Sequence, residues 1–430
     1  MEEDFRQLSK TGAGRELMKL STKVLELIEK VESDLENEFK KISQIAFHNQ
    51  QIMLDAFQTE KIGPHHFQAT NGYGYHDLGR EALEKLFSKV FKSEASLVRQ
   101  QLVSGTHAIA CALLGNLTPS DELIIASDHP YETLLAVLGI EAKYQPMISI
   151  TGGFGVKIIP LSQDGRLDVK GIAQALTCKT KIVSFQRSCG YSERDSFNID
   201  QLQKVFSQIK ELRPDLIIFV DNCYGEFVEK KEPIEIGADL IAGSLIKNPG
   251  GCLAPSGGYI TGRSDLVEKA AERLYAPKIG SSIGPSLLGL QPFFQGFFEA
   301  PHRVGEILKG TVLAAGLFQS GGYRVLPLPS AKRADIIQKI YFDNAPDLIR
   351  FCQAVQENSP IESYLTPEPA PMPGYQHHVI MGGGSFTSGS TSEFSADAPL
   401  TEPYIAYLQG GLSYTQIRLS LARIYQKYLN

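Results

Sequence analysis

Between Arg80 and Tyr275 short apolar runs alternate with amphipathic ones, and no other feature of this chain restricts its fold as much. REALEKLFSKVF has helical spacing, ASLVRQ is a short strand, GTHAIACALLG a helix, ELIIAS a strand and YETLLAVLG a helix. VKIIPLS, KIVSFQ, DLIIFVD, DLIAGSLI and GGYITG continue the strands, with helices expected near 168–176, at 199–212 and over SDLVEKAAERLY. The strands are apolar throughout instead of alternating with polar residues, which marks a sheet covered on both faces. Strand–helix alternation predicts an α/β domain with a mostly parallel sheet, placed at residues 64–300.

The flanks differ. Leu17, Leu20, Val24, Leu27, Val31, Leu35, Phe39 and Ile42 recur at steps of three and four, one apolar face of a long helix. The helical texture runs toward Phe57 and stops near Gly63-Pro64. Residues 1–63 are therefore expected to form a helical arm, either packed on the body or used for dimerisation. Gly280–Pro301, rich in Gly, Pro and Phe, reads as a bridge. Residues 301–430 read as a smaller α+β domain with helices at 303–318 and 345–357, strands in YRVLP and HHVIMG, and a closing helix. GGGSFTSGSTSEFSAD reads as a loop.

Composition narrows the function without choosing it. The chain has 430 residues, 43% apolar and 21% charged, and a net charge of −6. Two or three domains of roughly 100–200 residues are expected, and neither nucleic acid nor an anionic membrane is favoured as a partner. Six cysteines are present without a C-x-x-C pair, so neither a zinc ribbon nor a disulfide framework is expected. The opening MEEDFRQLSK lacks a basic and apolar leader, and no apolar run reaches the ~18–20 residues that span a bilayer. A cytoplasmic protein is the expectation.

In open α/β sheets ligands bind beyond the carboxyl ends of the strands. After ASLVRQQLV come Ser104, Gly105, Thr106 and His107, a small-residue turn opening a helix whose N–H groups and dipole suit a phosphate. Taken alone this is also an ordinary cap. After ELIIAS comes Tyr131, a stacking aromatic or an anchor for the next helix. DLIIFVD ends in Asp221, a carboxylate that burial makes costly unless paired. DLIAGSLI leads into Lys247, which either snorkels to water or serves as a Schiff-base amine. The two residues are 26 positions apart, about one strand–helix–strand unit, and so are expected at one edge of neighbouring strands. Phosphate turn, aromatic, Asp and Lys, in that order, match what pyridoxal 5′-phosphate requires. Ser244, three residues before Lys247, adds a hydroxyl for the phosphate.

On GYGYHDLGREALE (72–84), SGTHAIACAL (104–113), SDHPYETL (127–134), FVDNCYGEF (219–227), AGSLIKNPGG (242–251), GGYITGR (257–263), GSTSEFSAD (389–397) and PYIAYLQGGLSYTQIRLSLAR (403–423), the chain resembles a known group of enzymes. These are the fold-type I pyridoxal-phosphate enzymes of the cystathionine and methionine γ-lyase-like group, in the branch known as methionine γ-lyase-like or aluminium-resistance proteins. The resemblance implies a mostly parallel seven-stranded sheet in a large domain, a smaller C-terminal domain and an N-terminal arm. It implies Lys247 as the cofactor-binding lysine and general base, Asp221 on the pyridine nitrogen, and Gly105, Thr106 and Ser244 on the phosphate. Tyr131 stacks on the ring and assists proton transfer to the leaving sulfur, and Arg418 binds the substrate carboxylate.

The motifs depart from the better-known γ-lyases in three places. Ile246 stands where those enzymes carry a hydroxyl. Tyr73, Tyr75 and Arg80 are spaced differently from the Tyr-x-Arg pair that a neighbouring subunit brings to the phosphate, and Tyr75, Arg80 and Gln186 are expected beside Arg418 among the substrate-binding residues. FQRSCGY replaces a proline-rich strand end, leaving Gln186 or Arg187 for the ring hydroxyl. His65-His66 and His377-His378 lack further ligands at a recognised spacing, so no metal is expected. The expected activity is elimination of a thiol from cystathionine, cysteine or methionine, at Cβ or Cγ, by a homodimer or homotetramer. The alternatives are an aminotransferase, racemase or aldolase on another amino acid, or a non-catalytic stress-response protein that keeps the cofactor fold.

Overall fold

The computed structural model describes residues 20–140, 153–372, 375 and 377–429. Its first seven strands are β1 (Ala95–Arg99), β2 (Glu122–Ile125), β3 (Gly155–Ile158), β4 (Thr180–Gln186), β5 (Ile217–Asp221), β6 (Leu240–Ser244) and β7 (Gly258–Gly262). They form one sheet in the order β1-β7-β6-β5-β4-β2-β3. β2 through β6 run parallel, and β7 is antiparallel to both of its neighbours. The strands are apolar throughout because each feeds two cores. In β5, Ile217 and Phe219 join one core while Ile218 and Val220 join the other.

The helix Gly105–Gly115 follows β1, and the helix Glu132–Leu138 follows β2. Both start at the carboxyl edge of the sheet, where β5 and β6 also end. The expected strand DLIAGSLI stops at Ser244, so Lys247 lies beyond the ladder. It stands just before the short 3-10 turn Asn248–Gly250. That turn must be glycine-rich because a helix presses on it. A Cβ on Gly251 would lie 2.1 Å from the Gly296 carbonyl oxygen, and one on Gly296 would lie 2.1 Å from that of Gly250.

Gly296 belongs to a single helix, Gln291–Ser320, with Pro301 inside it. The second half of the segment expected to be a bridge, from Gln291 on, belongs to this helix, and the expected boundary at 300/301 falls within it. Phe293, Phe294, Phe297 and Ala300 are all buried, so the phenylalanines that suggested an irregular crossing are core contacts on a helix face.

The second sheet comprises β8 (Val325–Leu326), β9 (Gln338–Phe342), β10 (Val379–Gly382), β11 (Ser395–Pro399) and β12 (Tyr404–Gln409), in the order β10-β11-β12-β9-β8. All its pairings are antiparallel. Residues 395–397, expected in a loop, are ladder residues of β11. Its sequence SADAP has little strand character, and pairing to two neighbours supplies what propensity does not.

The N-terminal arm is two helices, Thr22–Asp34 and Glu36–Thr59, broken at Leu35. Val24, Ile28, Val31, Leu35 and Ile42 are buried, much as the periodicity predicts; Leu17 lies outside the described residues. The arm packs on its own body. A Cβ on Gly316 would lie 2.6 Å from Val31 Cγ1, and one on Gly305 would lie 3.0 Å from Ala46 Cβ. Among the described residues no helix is long and apolar enough to cross a membrane.

Candidate active site

Asp221 ends β5, in register with Gln186 of β4 and Ala242 of β6. Its carboxylate is buried and accepts the Cys223 N–H at 3.1 Å. Burial pushes its proton affinity up, while Lys247, the Cys223 amide and thiol, and Arg194 pull it down.

Lys247 places Nζ 3.9 Å from the centroid of the Tyr224 ring. Burial draws the ammonium down, but Cys223, Tyr224, Asp221 and Tyr131 raise its affinity for the proton by more. Burial also raises the thiol of Cys223 and the phenols of Tyr224 and Tyr131. At neutral pH those three are uncharged, which leaves Asp221 as the carboxyl group that favours the charged form of Lys247.

The helix Gly105–Gly115 aims its start at the same place. Ser104 Oγ accepts the His107 N–H at 3.1 Å, and its carbonyl accepts that of Ala108 at 3.1 Å. Among the described residues the amides of Gly105 and Thr106 have no such partner, and they are the donors a helix start offers an anion. A Cβ on Gly105 would lie 3.2 Å from both Cys223 Sγ and Ser244 Cβ. The helix start thus meets the ends of β5 and β6 where only glycine leaves room. Tyr131 is the cap residue of the helix Glu132–Leu138. Its phenol pairs with Thr106 and lies close enough to Asp221 and Lys247 to feel their charges. Lys247, Asp221, Tyr131, Gly105, Thr106 and Ser244 are therefore brought together.

The other expected residues fall elsewhere. Arg418 is engaged by Glu32 of the N-terminal arm, with Nε to Oε1 at 2.7 Å and Nη2 to Oε2 at 2.9 Å. Tyr414 donates to the same carboxylate at 2.5 Å. The fork expected to hold a substrate carboxylate already holds a protein carboxylate. Arg80 is buried and donates to the carbonyls of Gly74 at 2.7 Å and Gly284 at 3.0 Å, clamping two loops. Tyr75 is exposed and stacks on Tyr73 at 5.4 Å. Neither Arg80 nor Tyr75 touches the Lys247 cluster within this chain.

Gln186 stands at the edge of the cluster. Its amide N–H donates to Ser127 Oγ at 2.8 Å, and its carbonyl accepts from Arg194 at 3.0 Å. Arg187 is wholly buried on Asn222, Glu229 and Glu232, at 2.9, 3.1 and 3.4 Å, so it supports the turn after Asp221. His66 Nδ1 accepts the Gly63 N–H at 3.0 Å, and among the described residues no group of three metal-ligating side chains occurs.

Three participants escaped sequence reasoning: Cys223, Tyr224 and Arg194. The first two lie inside FVDNCYGEF, two and three residues past Asp221, where the turn's direction is set by its backbone. Arg194 is held by the carbonyls of Gln186 and Ser188 and feels the charges of Asp128 and Asp221. The loop before β11 closes the far side. Ser390 Oγ donates to the Ile246 carbonyl at 3.0 Å, the Thr391 hydroxyl lies next to the Tyr224 phenol, and the buried hydroxyl of Ser392 has no hydrogen-bond partner among the described residues.

A parallel sheet with a lysine beyond one strand, an aspartate ending its neighbour and a helix start against both defines a fold-type I pyridoxal-phosphate enzyme fold. Residues 24–429 match the methionine gamma-lyase family, and the chain belongs to it. It is 44% identical over 388 residues to the uncharacterized protein YnbB of Bacillus subtilis, covering 90% of this chain and 92% of that one. It is similar to a carbon-sulfur lyase involved in aluminum resistance from Clostridium novyi, with 39% identity, a TM-score of 0.89 and full coverage of both chains. The methionine gamma lyase CalE6 of Micromonospora echinospora shares the fold at 17% identity, with a TM-score of 0.56 over 85% of this chain and 93% of that one.

Proposed function

We propose that the protein is a pyridoxal-phosphate-dependent lyase that cleaves the carbon–sulfur bond of a sulfur amino acid such as cystathionine, cysteine or methionine. The observation that carries this reading is the convergence of Lys247, Asp221 and the Gly105 helix start on one buried point. The residues there fit the cofactor: Gly105 and Thr106 amides with Ser244 for its phosphate, Tyr131 for its ring, Asp221 for its pyridine nitrogen and Lys247 for its aldehyde. When bound, pyridoxal phosphate supplies the electron sink that lets an α-proton leave.

The chain's own groups do the rest. Lys247, once displaced by the substrate amine, takes the α-proton at Nζ. Asp221 sits buried beside it, where burial raises its proton affinity and the cations Lys247 and Arg194 oppose that rise. Tyr131 keeps its proton at neutral pH because burial and the Asp221 charge both raise it. That suits it to hand a proton to the departing sulfur.

The site is also read as that of a homodimer or homotetramer in the cytoplasm. Tyr73, Tyr75, Leu78, Val103, Leu287 and Leu288 are all more than half exposed. Their loops are tied together by the Gly284 N–H to the Tyr73 carbonyl at 2.9 Å and by Gln101 to the Pro285 carbonyl at 2.7 Å. Such a patch beside the Gly105 turn suits burial against a second copy.

The test is product analysis with added cofactor against cystathionine, cystine, cysteine, methionine and non-sulfur amino acids. A 2-oxo acid, ammonia and thiol in equal amounts support the lyase. Amino-group transfer or racemisation without thiol release supports the alternatives. A protein that never turns yellow with pyridoxal phosphate overturns the reading. Light scattering that reports a monomer for the yellow protein overturns the dimer.

A further inference from the structure

Tyr224 occupies a backbone conformation that side chains rarely adopt, with φ at +69°. The turn holding it is fixed on both sides. Gly225 donates its N–H to the Asn222 carbonyl at 2.9 Å. A Cβ on Gly225 would lie 2.5 Å from Arg187 Cδ, so the next residue must be glycine pressed on that buried arginine. Such strain persists where the surroundings over-determine it, and it clusters at working sites. Its result here is to turn the aromatic ring under Nζ of Lys247, at 3.9 Å from the centroid.

The ring is held at its hydroxyl end as well. Its phenol lies next to Thr391, on the loop whose Ser390 bonds the carbonyl of Ile246. Asp221, Cys223, Tyr131 and Glu226 also face the amine. Among the described residues Tyr224 supplies the ring face on which the amine rests. An ammonium on a desolvated aromatic face is attracted by the ring's negative quadrupole.

We propose that Tyr224 is a positioning residue for Lys247: its ring is the platform on which the free amine rests whenever Lys247 is not joined to the cofactor. This rests on the lyase reading for its purpose, since a lysine that leaves and returns in each cycle needs a defined place to wait. The placement itself is a property of the protein alone. Tyr131 is left to the cofactor and the leaving group.

The experiment uses cofactor-free protein labelled with carbon-13 at lysine Cε, with the Lys247 signal assigned by its absence from Lys247→Arg. The Hε protons of Lys247 are expected upfield of every other lysine through the ring current, in the wild type and in Tyr224→Phe. In Tyr224→Leu they are expected to return to the ordinary range. On adding pyridoxal phosphate, the yellow form is expected to develop at the wild-type rate in Tyr224→Phe and several-fold more slowly in Tyr224→Leu. Tyr224→Gly, which relieves the backbone strain and removes the ring, serves as a second variant, with the same losses expected in protein that a cooperative thermal melt shows to be folded. A Lys247 signal in the ordinary range in the wild type, or one unmoved in Tyr224→Leu and Tyr224→Gly, overturns the proposal. A wild type with the shifted signal that never turns yellow overturns the lyase reading and leaves the placement standing.

Discussion

Arg418 and Glu32 form a two-pronged ion pair between the C-terminal helix and the N-terminal arm, with Nε–Oε1 at 2.7 Å and Nη2–Oε2 at 2.9 Å. Tyr414 completes it from the same helix. The partners are 386 residues apart in the chain, and the pair ties its two ends together. An arginine so engaged is a structural clasp.

Arg418→Ala is therefore expected to weaken the fold slightly and leave substrate binding alone. Arg418 is 30% exposed, so solvent screening holds the loss to about 0.5–1 kcal/mol. Urea denaturation of Arg418→Ala, Glu32→Gln and the double variant measures it, with the double variant no worse than either single one. A large rise in KM for the amino acid at unchanged stability would restore the substrate role.

Replacing Lys247 by Ala is expected to leave a folded, colourless protein whose turnover does not rise above background. Asp221→Asn removes the carboxyl group that faces Lys247 and is proposed to meet the pyridine nitrogen. A loss of about 10²-fold or more in kcat is expected, the scale for a lost charge stabiliser in a buried site. Steady-state rates with thermal melting as a folding check decide both.

Gly105→Ala would put a methyl 3.2 Å from both Cys223 Sγ and Ser244 Cβ. Overpacking of this kind costs about 1–3 kcal/mol when the neighbours must shift. The neighbours here include the proposed phosphate pocket, so the larger effect is expected in equilibrium titration with pyridoxal phosphate. Unchanged cofactor affinity would argue that the phosphate sits elsewhere.

Asp397 lies buried under the hydroxyl of Tyr191 at 2.6 Å and the amide of Gln409 at 2.9 Å. Burial raises its carboxyl from 3.8 to about 6, against the pull of those two donors. The folded state then binds the proton more tightly than the unfolded chain. The stabilisation from this group is complete below pH 3.8 and is lost as pH rises to about 6. Its full size is on the order of 3 kcal/mol by the free energy per pKa unit. Asp397→Asn is expected to abolish that component of the stability-versus-pH curve, as measured by denaturation between pH 4 and 7.

Much of the large domain was legible because its signals are local. Ile199–Leu212 and Gly105–Gly115 are helices at the expected residues, and the order of β4, β5 and β6 places Asp221 beside the segment leading to Lys247. The C-terminal sheet was less so. β9 and β12 pair with each other across distant sequence, and β11 draws its structure from its neighbours and little from its own residues.

The sequence by itself determined the apolar strands, the helix starts and the spacing of Asp221 and Lys247, because these depend on periodicity and capping within a few residues. Only the tertiary structure decided what each polar side chain meets. Arg418 looks the same in sequence whether it meets a substrate or Glu32, and Tyr224 joins Lys247 only through a strained turn pressed on buried Arg187. Contacts of that kind depend on groups brought together by folding, and local sequence carries no record of them.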